Sequence, residues 1–413
     1  MHTVSLSNHI NCTMKKFIFS LFIFVIFFGS IELFLRSIDF EGSSTADIVE
    51  TAGFHENAYV HRRDRTLGNW YLKTSDGYES NPKLIERGFH REHFLTNERR
   101  IFSIGGSTTY GSPFEHKEKG FSGRLQKTLQ NIRFINAGVA GMDSAALPAM
   151  STQLSAIGGT GVIMYTGNNE LRGALLRACS TQNGLPFQQL YVYRWLQDQY
   201  RQWSGIQYTY NQLAEHQEDC MQRALKQSIN QHPTQKGEGR SDPFYLEILQ
   251  QFQNNIMLAI TSFGKKNMHV WLIIPPINLN SPPQQSRIDP TLPEHERKTI
   301  HQLIQKKEWN GVLQRDPKHA RANFSVGIDK QDTKKLLLAA EHDYASSRIT
   351  PSLQNILVGI CTNKEPHVTC IDLRYLQNDN IEQYFHDFCH PTYEYGVDLI
   401  AQSLLPHIQP HVP

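Results

Sequence analysis

The chain has 413 residues, with 41 Lys and Arg against 39 Asp and Glu, for a formal charge of +2. A balance this even excludes a sequence-wide basic field for nucleic acid. Apolar residues at 39% and aromatics at 10% exclude a largely disordered chain. Six cysteines without a C-x-x-C pair argue against a disulfide scaffold and against a zinc ribbon.

The first element in chain order stands apart from any core. Phe17 to Phe28 is an apolar run broken only by Ser20, and after Gly29 and Ser30 it resumes to Leu35, interrupted by Glu32. A helix over this stretch reaches roughly 28 Å, close to the hydrocarbon thickness of a bilayer. Lys15 and Lys16 precede it, while Glu32 to Glu50 carries five acids and one Arg, so the positive side is N-terminal and the rest should be translocated. Residues 1–36 therefore read as a signal anchor, followed by a juxtamembrane region over 37–98 with little periodicity. A cleaved signal peptide or a buried core helix are the other readings of the run, although no Ala-x-Ala-like site follows it. Met14-Lys15-Lys16 resembles a natural start, which would make residues 1–13 an upstream extension. Anchored or cleaved, the bulk of the chain is expected on the periplasmic or extracellular face.

Beyond residue 98, five short apolar runs of strand length recur: Arg100–Ile104, Arg133–Asn136, Val162–Tyr165, His269–Ile274 and Val368–Leu373. Runs apolar on both faces predict central strands of a parallel sheet. Helical patterns stand at Phe121–Gln130, Ser144–Ala156, Phe244–Phe263, Leu353–Ile360 and Tyr393–Ile408. The alternation predicts a three-layer α/β sheet, with ligands beyond the carboxyl ends of the strands. Residues 99–413 are read as this domain, with helical insertions at about 171–242 and 284–350, the second mostly helical and charged. The insertions would form a cap or lid, or else a separate interaction domain. The aromatic stretch Tyr191–Tyr210 fits a cap packing its rings inward or a carbohydrate or lipid groove. Asp316–Gly327 and Lys334–Asp343 faintly resemble one tetratricopeptide helix pair, well short of the roughly three units a solenoid needs. Cys361 with Cys370, and Cys179 with Cys220, would pair in an oxidising compartment or remain free and buried.

The strand ends carry the reactive groups. The first run enters Gly105-Gly106-Ser107-Thr108, where two glycines allow a tight turn that exposes the serine hydroxyl beside outward backbone N–H groups. The turn is neither a P-loop nor a G-x-S-x-G elbow, since Thr109 occupies the last glycine's place. The second run ends in Asn136-Ala137-Gly138-Val139-Ala140-Gly141 and the third in Gly167-Asn168-Asn169-Glu170. Asp387-Phe388-Cys389-His390 precedes the last helix, a spacing that sets a carboxylate beside an imidazole and fixes its tautomer. Metal ligation by His386, Asp387, Cys389 and His390 is the competing reading, weakened because adjacent residues rarely converge on one ion. Cys389 reads as packed behind the loop rather than nucleophilic.

In this order the blocks resemble the SGNH, or GDSL-like, hydrolase superfamily. Its marks are a serine turn after the first strand, a glycine after the second, G-x-N-D after the third and D-x-x-H near the end. The resemblance implies a three-layer flavodoxin-like parallel sheet with a catalytic triad, covering 99–170 and 366–411. It implies Ser107 as nucleophile, His390 as general base and Asp387 as the group that orients His390. The oxyanion hole it implies comprises the Ser107 and Gly141 backbone N–H groups and the Asn169 amide. Gly141 is preferred to Gly138 because the family's glycine stands five places after the strand-end asparagine. Two departures appear, Gly106 where an acid usually precedes the serine and Glu170 in place of Asp. Arg348, in Ser346-Ser347-Arg348, is similar to an arginine in anchored members; it would clamp an anionic substrate group, or else form a surface salt bridge.

The expected protein is thus a membrane-anchored serine esterase acting through an acyl-enzyme, its substrate an O-acyl ester on a cell-surface glycan or a lipid-type ester. No cofactor or metal and no nucleic-acid partner is expected. An O-acyltransferase using the same triad is the alternative, and a catalytically silent binding or assembly module the second.

Overall fold

A computed structural model describes residues 20, 22–23, 26–34, 99–111, 120–138, 141–175, 240, 242–363, 365–377 and 381–411. The chain divides into two compact units, Met1–Gly53 with Ser180–His216, and Phe54–Cys179 with Gln217–Pro413. In the first unit residues 26–34 are helical, and Ile26, Phe27, Leu33 and Phe34 are exposed. Among the described residues no helix is long and apolar enough to cross a membrane. Positions 17–19, 21, 24–25 and 35 of the expected span lie outside them, as do the juxtamembrane region 37–98, the aromatic stretch Tyr191–Tyr210 and the Cys179–Cys220 couple.

The second unit is built on a five-stranded sheet in the order β2-β1-β3-β4-β5, all pairs parallel. The strands are β1 (Arg100–Gly105), β2 (Arg133–Asn136), β3 (Gly161–Tyr165), β4 (His269–Ile274) and β5 (Val368–Asp372). Each coincides with an apolar run expected to form a strand. Every residue of β1 and β3 is buried, as central strands covered on both faces must be, whereas edge strand β5 is largely half-buried.

The helices follow from that order. In the second unit they are α1 (Ser107–Tyr110), α2 (Phe121–Thr128), α3 (Leu147–Ile157), α4 (Pro243–Gly264), α5 (Glu294–Gln305), α6 (Trp309–Arg315), α7 (Ala320–Lys330), α8 (Thr333–Glu341), α9 (Pro351–Thr362), α10 (Ile381–Tyr384) and α11 (Gly396–Ile408). From β1 the chain crosses to β2 on one side, then runs the other way through β3, β4 and β5. Right-handed crossovers therefore send α2 to one face and α3, α4 and α9 to the other. The observed packing agrees: α4 lies against α3 and α9, and α2 lies against α11.

Local chemistry sets the ends of these helices. Asp242 caps α4 by accepting the Tyr245 N–H at 3.0 Å, with Pro243 in the first turn. Thr350 caps α9 ahead of Pro351 in the same way. Tyr245, Ile248, Phe252, Ile256, Ile260 and Phe263 then recur at helical spacing and are buried, so α4 presents one apolar stripe to the sheet.

Residues 284–350 contain α5 to α8, each packed on the next, over a small core of Ile300, Val312 and Ala322. The helical content expected there is present, including the α7–α8 pair. Cys361 at the end of α9 is disulfide-bonded to Cys370 in β5, one of the two pairings weighed from sequence.

Phe252 is fully buried, and a Cβ placed on Gly167 in the loop after β3 would lie 3.6 Å from its ring. Phe252→Ala should cost about 3–5 kcal/mol, because the loop and helix cannot both collapse into the space. Urea unfolding followed by circular dichroism checks this; a loss below about 1 kcal/mol would place Phe252 outside the core.

Candidate active site

Ser107, Asp387 and His390 meet above the carboxyl ends of β1 and β3, where the strand order reverses. Open parallel sheets leave a crevice at such a point because neighbouring connections diverge to opposite faces. Gly105 ends β1 with φ 149°, and a Cβ there would sit within 1.9 Å of the Tyr165 carbonyl oxygen, so only glycine lets β1 turn so close to β3. Gly106 follows as the N-cap, and Ser107 opens α1, partly exposed. The Asn136 amide secures the far end of α1 by donating to Thr109 O at 2.8 Å.

Asp387 and His390 arrive on the segment between α10 and α11. Asp387 Oδ1 accepts the Cys389 and His390 N–H groups at 2.9 and 2.8 Å, the closed turn that the D-x-x-H spacing predicts. Its other oxygen, Oδ2, lies 2.7 Å from His390 Nδ1, and His390 Nε2 lies 2.7 Å from Ser107 Oγ. With Nδ1–H donating to the carboxylate, Nε2 is left to accept the serine proton. Burial pushes the Asp387 carboxyl upward, but the His390 hydrogen bond and charge and the two backbone N–H groups outweigh it and hold the carboxyl below its usual range.

The crevice beside Ser107 is narrow and lined by Gly106, Thr108, Met142, Tyr165, Asn168 and Asn169, among others. Asn169 Nδ2 donates to Met142 O at 3.2 Å, which leaves the second amide hydrogen for another acceptor. Gly141, next to Met142, adopts φ 75°. Gly138 serves packing instead, since a Cβ on it would lie 2.5 Å from Tyr110 N and its absence allows the β2 loop to pass against α1. The Gly138 N–H is itself engaged, donating to Asn136 Oδ1 at 2.9 Å.

Glu170, the departure from the G-x-N-D pattern, is buried at 2% exposure. Its carboxylate accepts the Ser144 N–H at 3.0 and 3.1 Å and the Ser144 hydroxyl at 2.7 Å. It thereby ties the loop carrying Gly141 to the loop carrying Asn169, a connection not visible in the sequence.

Arg348 is neither at the surface nor aimed outward. It is 3% exposed and donates through Nη1 to Asn278 O at 2.7 Å and Ser281 O at 2.6 Å. Its nearest carboxylate, Asp343, is 3.7 Å away, long for a hydrogen bond. Burial accordingly lowers the Arg348 pKa and raises that of Asp343 despite their mutual attraction. The surface salt bridge weighed from sequence is thus replaced by interior bonds to backbone.

Asp387, Cys389 and His390 present ligand atoms within 4.8 Å of one another. The carboxylate and imidazole are already paired, and burial, with the Asp387 charge, holds the Cys389 thiol well above its ordinary pKa. The Cys389 thiol is thus protonated and packed behind the turn.

No protein-family model and no curated protein matches this sequence. Among solved structures, a lipase/acylhydrolase from Enterococcus faecalis is 11% identical, with 76% of this chain and 97% of that one covered and a TM-score of 0.36. A GDSL-like lipase from Bacteroides thetaiotaomicron is 10% identical over 82% and 97%, with a TM-score of 0.34. An acetylxylan esterase from Geobacillus stearothermophilus is 11% identical over 75% and 94%, with a TM-score of 0.34. Overlap this limited leaves the functional reading to the geometry of the site itself.

Two outcomes follow from that geometry. A Cβ on Gly106 would lie 2.7 Å from Asn169 Nδ2, so Gly106→Ala should displace the amide and, like Asn169→Ala, lower kcat for an ester about a hundredfold with the fold retained. Unchanged kcat in both variants would remove Asn169 from the site. The depressed Asp387 pKa contributes stability above the ordinary carboxylate pKa, and the contribution is lost as pH falls through the folded value. The side chain is 34% exposed, so screening keeps this effect small. Urea midpoints for wild type and Asp387→Asn should converge as pH falls from neutral into the acid range; a constant gap would show no such coupling.

Proposed function

We propose that the chain is a serine ester hydrolase of the SGNH, or GDSL-like, type. The observation that carries this is the chain of two 2.7 Å hydrogen bonds from Asp387 through His390 to Ser107, set beside the Asn169 amide. A serine hydroxyl is a poor nucleophile until a base receives its proton, and Nε2 stands at the distance for that transfer.

In the first half-reaction Ser107 Oγ attacks the ester carbonyl as its proton passes to His390. The oxyanion that forms is met by the Asn169 amide and the Ser107 and Gly141 backbone N–H groups. Collapse breaks the acyl–oxygen bond, and His390 returns the proton to the departing alcohol. Water then attacks the acyl-enzyme with His390 again as base, releasing the acid and restoring Ser107. Asp387 holds the imidazole in one tautomer and stabilises its positive charge throughout.

The proposed substrate is an acyl ester, O-acetyl above all, on a cell-surface glycan, with a lipid-type ester as the other form. We place the site outside the cytoplasm, tethered by the apolar segment near the N-terminus. The Lys15-Lys16 flank and the acidic stretch after the segment support that orientation, and the Cys361–Cys370 disulfide suits an oxidising compartment. An acyltransferase would use the same acyl-enzyme with a sugar hydroxyl in place of water. The narrowness of the crevice among the described residues favours keeping a partner-opened or silent module as the further reading.

The test is p-nitrophenyl acetate turnover and fluorophosphonate labelling of the full chain in detergent, against Ser107→Ala. Labelling should vanish in the variant and turnover should fall at least about a thousandfold. A folded wild type that neither labels nor turns over would overturn the hydrolase and move the binding module forward. Separately, the chain should resist carbonate extraction from membranes, and deletion of residues 17–35 should release it; release of the intact chain would sink the anchor.

A further inference from the structure

Arg348 lies at one end of a line of hydrogen bonds whose other end is the segment bearing the catalytic acid. Its Nη1 takes two carbonyl oxygens, Asn278 O at 2.7 Å and Ser281 O at 2.6 Å, and so closes the loop after β4 from the inside. Within that loop Asn278 Oδ1 accepts the Asn280 N–H at 3.1 Å. The oxygen being engaged, the Asn278 amide presents its nitrogen outward and donates to Asp387 O at 2.6 Å. Asp387 in turn sets His390. The next residue, Ile349, donates its N–H to Asn168 Oδ1 at 3.0 Å, which fastens the loop carrying Asn169 to the same segment.

We propose that Arg348 acts through Asn278 as the positioning residue of the Asp387–His390 pair, an inference that rests on reading Ser107, Asp387 and His390 as a triad. A planar guanidinium suits this role because it remains charged when buried and donates in fixed directions to carbonyls three residues apart. A lysine at this place would present a mobile point charge and could not hold both oxygens in one geometry. A role as substrate clamp would need an exposed guanidinium, and this one is 3% exposed with its donors turned into the chain.

The test uses the full chain in detergent as wild type, Asn278→Ala, Arg348→Lys and the double variant. Each is assayed on neutral p-nitrophenyl acetate and anionic p-nitrophenyl hemisuccinate. Each is also examined by proton NMR with 15N-histidine labelling, which reads the low-field proton between His390 Nδ1 and Asp387. Asn278→Ala and Arg348→Lys should each lower kcat about ten- to hundredfold on both esters. KM should stay within about twofold and the low-field proton should shift or vanish. The double variant should be no slower than the slower single, because both act on one line. Wild-type kcat with an unmoved low-field proton in Asn278→Ala would overturn the inference. A KM rise confined to the anionic ester in Arg348→Lys would overturn it in favour of a substrate clamp. If Arg348→Lys fails to fold, Asn278→Ala decides. If wild type turns over neither ester, the hydrolase reading fails, and the NMR signal still decides whether Asn278 positions the pair.

Discussion

The hydrogen bond between His390 and Ser107 joins residues 283 positions apart, so it exists only where the sheet brings the turn after β1 and the segment after α10 together. An imidazole takes a serine proton most readily when a hydrogen bond from its other nitrogen fixes its tautomer and its plane. Asp387 supplies that bond within four residues of chain. Its placement depends on further support, because the turn that holds Asp387 has no regular secondary structure of its own. The 2.6 Å bond from Asn278 to Asp387 O contributes to that support, beside the His386 N–H bond to His390 O at 2.8 Å and the Thr108 hydroxyl bond to Cys389 O at 3.4 Å.

The sheet order explains why the groups assemble where they do. Connections leave β1 and β3 toward opposite faces, so the space between their carboxyl ends stays open for side chains. Close approach of the two loops then depends on glycine at positions where any Cβ would strike backbone, at Gly105 against Tyr165 and Gly138 against Tyr110. Glu170 completes the arrangement by holding Ser144, so the two loops proposed to donate to the oxyanion are tied by one buried carboxylate. Fixed donors of this kind cost no reorganisation when charge develops.

Much of this was legible in the chain. The five strands appear as apolar runs because a parallel strand covered on both faces needs apolar residues in succession. The D-x-x-H turn was legible for a similar reason, since its hydrogen bonds are local and its spacing alone sets them. Arg348 was not legible: an isolated arginine in a polar segment has the same local pattern whether it reaches solvent or two buried carbonyls. Asn278 was not legible either, because nothing near it in sequence announces a partner 109 residues away. The exchange of Asp for Glu at position 170 was visible as a departure, and only the position of Ser144 gives the longer side chain its purpose.

The sequence by itself determined the alternation of strand and helix, the turns that expose Ser107 and close Asp387 on His390, and the order of the chemical groups along the chain. These depend on interactions between residues a few positions apart, where spacing dictates geometry. Only the tertiary structure decided which loop braces which, that Gly138 is a packing position beside Gly141, and that Arg348 is turned inward. Those outcomes depend on which segments packing brings within hydrogen-bond distance, and a long polar side chain takes its role from whatever acceptor it meets there.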